Sequence, residues 1–421
     1  MNVHASLADA CSETRGLIEI DAACARAAGY ADPVTDIETV AVHGAAGRTL
    51  AEAVAAEFAM PAFDQSAMDG YALALPDGEL LAAGTRVPLQ GRIAAGDSAG
   101  ALAPGHAVRI FTGAPLPVGA NAVLMQEHGW QDDGCLVLNR TVRLGDNIRR
   151  RGEDIEAGDR LLAPGERLDA RHVALLSAQG RTSVSVRRRP RVGVVSTGNE
   201  LVQPGRPLVE ASVYDSNRPM VMALAAQAGL DVVDGGWIKD DAVAMAGTLR
   251  DLAASCDLIV TTGGASVGEE DHSATAAVLA GGACETLRIA LKPGKPAVTG
   301  RIGSAVYLGL PGNPVSALVS WLILGGAVVA ALEGRPHQRR AGCPVPAFSR
   351  FERRPGRTEF APGRIVRSDA SSTVEILGRG GSARLRPLVE ADGLVEIHAL
   401  HAPVEAGSNV LFYPFRDGFA V

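Results

Sequence analysis

The chain has 421 residues, long enough for more than one domain, and its 47% hydrophobic content supplies ample cores. Aromatics are only 4%, so those cores are built mainly of Val, Leu, Ile and Ala, and a net charge of −7 excludes general nucleic-acid binding by charge alone. The six cysteines, at 11, 24, 135, 256, 284 and 343, show no CxxC or Cys/His metal spacing and suit a reducing cytoplasm.

Near the N-terminus, Asp9, Glu13 and the lack of a long apolar core argue against a signal peptide. Residues 16–29 and 44–57 read as helices with Ala- and Leu-rich faces. Residues 74–140 read as short strands broken by Gly and Pro turns, and a helix is expected over 169–180. The β-rich stretch is therefore expected to be inserted into a discontinuous helical domain. From residue 190 strand and helix alternate: strand 191–198, helix 216–229 with Ser216 as N-cap, strand 231–238, helix 241–255 starting near Asp241, strand 257–264, helix 271–281, strand 303–312, then an apolar helix from 315. Such alternation predicts a parallel sheet with helices on both faces. Residues 315–332 reach the length of a membrane span, about 18 residues, but Gly325-Gly326 and two serines favour a buried packing helix. After about residue 340 helices vanish, and 363–368, 372–378, 384–389, 393–400 and 409–415 read as strands of a small barrel or sandwich.

Two runs carry chemistry. PAFDQSAMDGYA (61–72) sets Asp64 and Asp69 on or beside an Asp69-Gly70 turn, facing solvent or a ligand. TTGGASVGEEDH (261–272) follows a buried strand, and Gly263, Gly264 and Gly268 open a loop whose amides can approach an anion. It ends in acids that also serve as first-turn helix residues. The run is neither a P-loop nor GxGxxG. Ligands of open α/β sheets bind at the carboxyl ends of strands, and Glu200, Asp240, Asp271 and the 311–314 turn all fall there. Carboxylates about 4 Å apart repel by roughly 4 kcal/mol at an effective dielectric near 20, so such a cluster needs a cation, a shared proton or a basic partner. Without a His/Cys set, a hard ion such as Mg²⁺ fits better than zinc. Asp241 reads as a helix cap. KPGKP (292–296) presents Lys292 and Lys295 on a rigid turn toward an anion, and PGNP (311–314) is a second rigid turn. The arginines at 149–151 offer a local anion site, whereas those at 187–189 read as solvated turn charges.

Taken in order, PAFDQSAMDGYA, RIFTGAPLP (109–117), RRRGEDI (149–155), STGNEL (196–201), YDSNR (214–218), TTGGASVGEEDH, KPGKP and GLPGNPVS (309–316) resemble the molybdopterin molybdenumtransferases, relatives of the C-terminal domain of gephyrin. Gln65 stands where Asn is usual, and Asp392 likewise. The resemblance implies four domains: an elongated helical domain over 1–61 and 153–187, an inserted β domain over 62–152, a molybdopterin-binding α/β domain with a mostly parallel sheet over 188–338, and a C-terminal β-barrel over 339–421. It implies a Mg²⁺-dependent enzyme that inserts molybdate into adenylylated molybdopterin and releases AMP. It also implies a cytoplasmic homodimer that contacts the adenylyltransferase and cofactor-delivery proteins, with no membrane or nucleic-acid partner. Asp64, Thr112 and Asp154 of one subunit would face Glu200, Asp240 and Asp271 of the other, the last three as metal ligands. Gly263, Gly264, Ser266, Lys292, Lys295, Pro311, Asn313 and Pro314 would bind substrate. The alternatives are the molybdopterin adenylyltransferase, which lacks the β insertion and the C-terminal barrel, and a non-catalytic scaffold of the gephyrin type.

Overall fold

Helix α1 (Ile20–Ala28) shows why apolar spacing matters more than composition. Ile20, Ala23, Cys24 and Ala27 recur at helical intervals and are its buried stripe, packed into the same core as residues from the far end of the chain. The computed structural model describes residues 16–76, 80–263, 272–339, 341–368, 372–378, 381–401 and 403–416. The chain forms two units, one of Met1–Thr39, Gly47–Thr49 and Ser185–Val421, the other of Val40–Ala46 and Leu50–Val184.

In the first unit the expected alternation builds a six-stranded sheet. Its strands are β1 (Arg191–Thr197), β2 (Asp231–Ile238), β3 (Leu258–Thr262), β4 (Ala283–Arg288), β5 (Pro296–Ile302) and β6 (Ala305–Leu310), in the order β2-β1-β3-β6-β5-β4. The β2, β1, β3 and β6 ladders are parallel, while β5 and β4 join antiparallel. The sheet is thus mostly parallel, as expected, with an antiparallel pair at one edge that the strand–helix alternation does not foretell. Ile302 pairs with Ala305 across a two-residue turn whose Gly303 has φ of 59°, the geometry of a tight hairpin. Helices α2 (Asn217–Gln227), α3 (Ala242–Ala253), α4 (His272–Leu279) and α5 (Pro314–Leu332) cover both faces. The alternation of strand side chains divides the core. Val194, Val260 and Leu308 pack with α1, α2 and α5, whereas their neighbours Val195, Ile259 and Tyr307 pack with α3 and α4.

Helix α5 is long and apolar enough to cross a membrane, yet 78% of its apolar window is buried in the protein, as a packing helix requires. A π turn at Trp321–Gly325 interrupts it. Any side chain at Gly325 would put Cβ 2.6 Å from the Trp321 ring. The C-terminal strands β7 (Cys343–Pro346), β8 (Thr358–Arg367), β9 (Ser372–Ile376), β10 (Gly393–Ile397) and β11 (Asn409–Pro414) pair in the order β9-β8-β10-β11-β7. The ladder comes back toward β9 where Ala347 bridges Val374. On the flank away from β10, before the stretch that pairs with β9, β8 takes Leu291–Lys292 as a parallel partner.

The second unit holds a six-stranded sheet of Gly70–Leu73, Arg86–Ile93, Ala107–Ile110, Ala122–Met125, Gly129–Asp132 and Cys135–Leu138. It also holds the helix Ala170–Ala178, closed at its start by a reciprocal Asp169–His172 capping box.

Four local expectations fail. Residues 44–57 are not helical, because Gly47 takes a φ of 78° and Val54 pairs with Leu162, so strand pairing overrides alanine's helix propensity. Part of 384–389 is helix, Arg386–Glu390, with Pro387 in its first turn. Ser216 makes no side-chain cap bond, and Asp215 accepts the Arg218 N–H instead at 3.2 Å. The arginines at 187–189 are not loose turn charges: Arg188 grips Asp257 at 3.0 and 3.1 Å, and Arg187 donates to the Val34 carbonyl at 2.6 Å.

Candidate active site

The carboxyl ends of β1, β3 and β6 converge because glycine lets their loops touch. Gly263 has φ of 95°, and a Cβ there would lie 2.4 Å from the Thr197 carbonyl oxygen, so only glycine fits. Its N–H donates to the Leu310 carbonyl at 3.2 Å, and Gly312 approaches it closely. The strand-end hydroxyls of Thr197 and Thr262 are buried without hydrogen-bond partners among the described residues. Pro311 is buried, Asn313 occupies the N-cap position of α5 without a side-chain cap bond, and Pro314 is the first helical residue. Asn217 Nδ2 donates to the Gly312 carbonyl at 2.6 Å, fixing the turn to α2.

The loops after β1 and β2 clasp each other. Asn199 N–H donates to Asp240 Oδ2 at 3.0 Å, Asp240 N–H donates to Asn199 Oδ1 at 3.3 Å, and Trp237 Nε1 donates to the Gly198 carbonyl at 2.8 Å. The Glu200 carboxylate folds back over Gly198. Glu200 and Asp240 are thus held at one sheet edge, and neither is ion-paired among the described residues. Asp241 is the cap it was expected to be, accepting from the Val243 and Ala244 amides. Gly264, Ser266 and Asp271 lie outside the described residues. Among those described, no three His, Cys, Asp or Glu side chains gather as a metal cluster.

The YDSNR run has a structural purpose that its spacing did not reveal. Asp215 is buried, and its carboxylate accepts Ser196 Oγ at 2.5 Å and Arg218 Nε at 3.0 Å. Arg218 also pairs with Asp234. Burial pushes the Asp234 carboxyl up, but the Arg218 guanidinium and the Gly236 N–H bring it below its ordinary value.

Lys292 and Lys295 line a cleft between the KPGKP turn and the C-terminal strands. Two adjoining hollows of about 550 and 570 Å³ share Lys292, Glu352 and Arg357; Lys295, Arg353, Arg354 and Arg384 make the lining largely cationic, with Glu359 among them. Ser316 and Ser382 add hydroxyls. These four arginines went unnoticed in the sequence, where nothing local links them to KPGKP.

In the second unit PAFDQSAMDGYA is laced between two loops. Gln65–Ser66 pairs with Ile148–Arg149, and the Ser66 N–H donates to the Ala114 carbonyl at 3.0 Å. Asp64 accepts the Arg151 N–H at 2.8 Å and Arg150 Nη1 at 2.7 Å. The Arg151 backbone bond most of all, with the Arg150 guanidinium beside it, holds its carboxyl below the ordinary value against the opposing effect of burial. Gly70 does not close a turn. It opens a strand, where a Cβ would lie 1.9 Å from the Leu124 carbonyl oxygen. Asp69, expected only at the turn, reaches Thr112 instead: one carboxylate oxygen accepts both its N–H and its hydroxyl at 2.8 Å, which lowers the Asp69 pKa. Asp154 is fixed by its N–H to the Met60 carbonyl at 3.1 Å.

Residues 18–180 match the MoeA N-terminal region (domain I and II), 193–330 the probable molybdopterin binding domain, and 344–415 the MoeA C-terminal region (domain IV). The chain is 35% identical over 391 residues to a molybdopterin molybdenumtransferase of Haemophilus influenzae, covering 91% of this chain and 95% of the relative. It is 33% identical over 380 residues to molybdopterin molybdenumtransferase 2 of Mycobacterium tuberculosis, covering 88% and 93%. Its fold is similar to a molybdopterin biosynthesis moeA protein from Pyrococcus horikoshii OT3, with a TM-score of 0.78 and 25% identity over 95% of this chain and 100% of that one.

Proposed function

The chain belongs to the molybdopterin molybdenumtransferase family, and on that premise we propose how its residues carry the reaction. It is a molybdotransferase of molybdenum cofactor biosynthesis. The substrates are molybdate and adenylylated molybdopterin, and AMP leaves as molybdenum enters the pterin. The adenylyltransferase alternative is disfavoured because relatives matched along almost their whole length are molybdenumtransferases.

The observation that carries the site assignment is the pairing, within one unit, of a carboxylate-edged strand end with a cation-lined cleft. Both substrates are anions, and charge-assisted donors are the strong ones. Lys292 and Lys295 bind anionic oxygens. Gly263, Gly264, Ser266 and the Pro311–Asn313–Pro314 turn hold the pterin side. Glu200 and Asp240 are hard oxygen donors without cationic partners among the described residues, and with Asp271 they fit Mg²⁺. A bound Mg²⁺ supplies charge neutralisation at phosphate oxygens. Thr112, whose N–H and hydroxyl both donate to Asp69, hydrogen-bonds the reacting phosphate when its hydroxyl turns from Asp69 to donate to a phosphate oxygen. Asp154 and Asp64 complete this part of the site, Asp64 by anchoring the Arg150–Arg151 loop.

The domain boundaries are 1–61 with 153–187, 62–152, 188–338, and 339–421 as a C-terminal β-barrel. The protein works in the cytoplasm as a homodimer, receives its substrate from the adenylyltransferase, and passes the product to cofactor-delivery proteins. Each site is completed by Thr112 and its neighbours from the second subunit. Thr112→Ala and Asp240→Ala chains should each be nearly inactive alone. Refolded together, they should recover about a quarter of wild-type activity, since half the dimers are mixed and each mixed dimer has one intact site. Tagged heterodimers that form but stay inactive would refute the shared site.

A further inference from the structure

We propose that Glu359 is a positioning residue for the oxyanion cleft, tying the C-terminal strands to Lys292; this rests on the cleft being the anion site assigned above. Lys292 sits beside Glu359 in a parallel ladder, and its ammonium lies 3.0 Å from Glu359 Oε1. The two ends of this pair differ. The Glu359 side chain is 8% exposed and the Lys292 side chain 43%, so a buried carboxylate holds a cation that reaches into the open cleft.

Glu359 is itself fixed from behind. Arg353, 1% exposed, lies 3.2 Å from Glu359 Oε2 and donates to the His398 carbonyl at 2.8 Å and to the Arg357 carbonyl. The Arg353 Nε and Glu359 Oε2 atoms nevertheless lack a well-aligned hydrogen bond. Arg353 therefore compensates the charge of Glu359 without taking over its other oxygen, which is left to Lys292.

A lysine is a flexible point charge with three donors. In a cleft where Arg357 and Lys295 also repel it, its ammonium would otherwise swing toward bulk water. Glu359 takes one donor and leaves the others for an oxyanion. Because Thr358–Glu359 belongs to β8, the C-terminal strands thereby set the position of a cation on the KPGKP turn.

The test is calorimetric binding of sodium molybdate to the full-length protein, free of pterin, in a double-mutant cycle. Lys292→Ala and Glu359→Gln should each weaken molybdate binding by about 10-fold, and the double variant should be no weaker than Lys292→Ala by more than about 2-fold. Effects that multiply in the double variant would overturn the proposal, since a purely structural role of Glu359 acts whether or not Lys292 is present. Glu359→Asp covers the case in which Glu359→Gln does not fold: it keeps the charge facing Arg353 but withdraws the carboxylate by one methylene. A folded Glu359→Asp protein with wild-type affinity would overturn the proposal, and a loss of about 3-fold or more would support it. If Lys292→Ala alone binds molybdate normally, the cleft assignment fails, and the positioning proposal fails with it; if only the cycle is additive, the positioning proposal alone fails.

Discussion

Arg218 holds two carboxylates of different worth, and that contrast gives a quantitative prediction. Asp215, with a side chain 1% exposed, accepts Ser196 Oγ, Arg218 Nε and the Arg218 N–H, while Asp234 on the other side of the guanidinium is 51% exposed. Asp215→Asn leaves the 11%-exposed guanidinium without its buried counter-charge and turns an amide donor toward other donors. Breaking a buried pair by removing one partner costs about 3–5 kcal/mol. Asp234→Asn removes a solvent-screened partner and should cost less than about 1 kcal/mol. Urea unfolding followed by the fluorescence of Trp237 and Trp321, both in the first unit, measures the two changes. Asp215→Asn should also slow molybdenum transfer, because Asn217 hangs from the same loop and ties down the Gly312 carbonyl. Equal losses for the two variants, or a loss under about 1 kcal/mol for Asp215→Asn, would refute this reasoning.

Further predictions follow from groups held away from their ordinary ionisation. The folded Asp64 pKa is depressed by the Arg151 N–H and by Arg150, so its tie contributes stability above the unfolded carboxylate pKa and loses it as pH falls through the folded value. Amides of 149–154 should therefore exchange faster with solvent deuterium as pH drops below about 4, after correction for intrinsic rates, and Asp64→Asn should abolish that dependence. Burial beside Asp21 pushes the Cys24 thiol up to about 11, whereas Cys343 is exposed. At pH 8 iodoacetamide should label Cys343 and spare Cys24, with mass spectrometry of the peptides as the readout; rapid labelling of Cys24 in folded protein would contradict its packing under α5. Lys295→Ala should weaken molybdate binding by roughly 10- to 150-fold, the loss of one hydrogen bond to a charged group, and unchanged calorimetric affinity would remove Lys295 from the cleft.

How far the sequence led can be argued from particular residues. Apolar runs separated by Ala-rich helices located β1, β3 and β6 and their helices, because burial on both faces leaves a readable signature, and the half-exposed edge strand β2 followed from the same alternation. It also located Glu200 and Asp240 at strand ends, where the clasp through Asn199 holds them. The antiparallel strands β5 and β4 were not legible, since β5 joins the sheet through its hairpin to β6, which depends on the conformation of Gly303 rather than on any periodicity, and β4 then pairs with β5. Gly70 looked like a turn glycine but is required by the close approach of Leu124, a neighbour distant in sequence. The ion pair between Lys292 and Glu359 and the reach of Asp69 to Thr112 are likewise products of tertiary pairing, which no local pattern announces.

The most direct measurement is AMP release by the purified protein from adenylylated molybdopterin, with molybdate and Mg²⁺ each present or withheld. Release that requires both, with molybdenum retained on the pterin in stoichiometric amount and lost in Lys292→Ala and Asp240→Ala, is the expected result. AMP release that ignores molybdate, or that survives both substitutions at the wild-type rate, would contradict the assignment of this site.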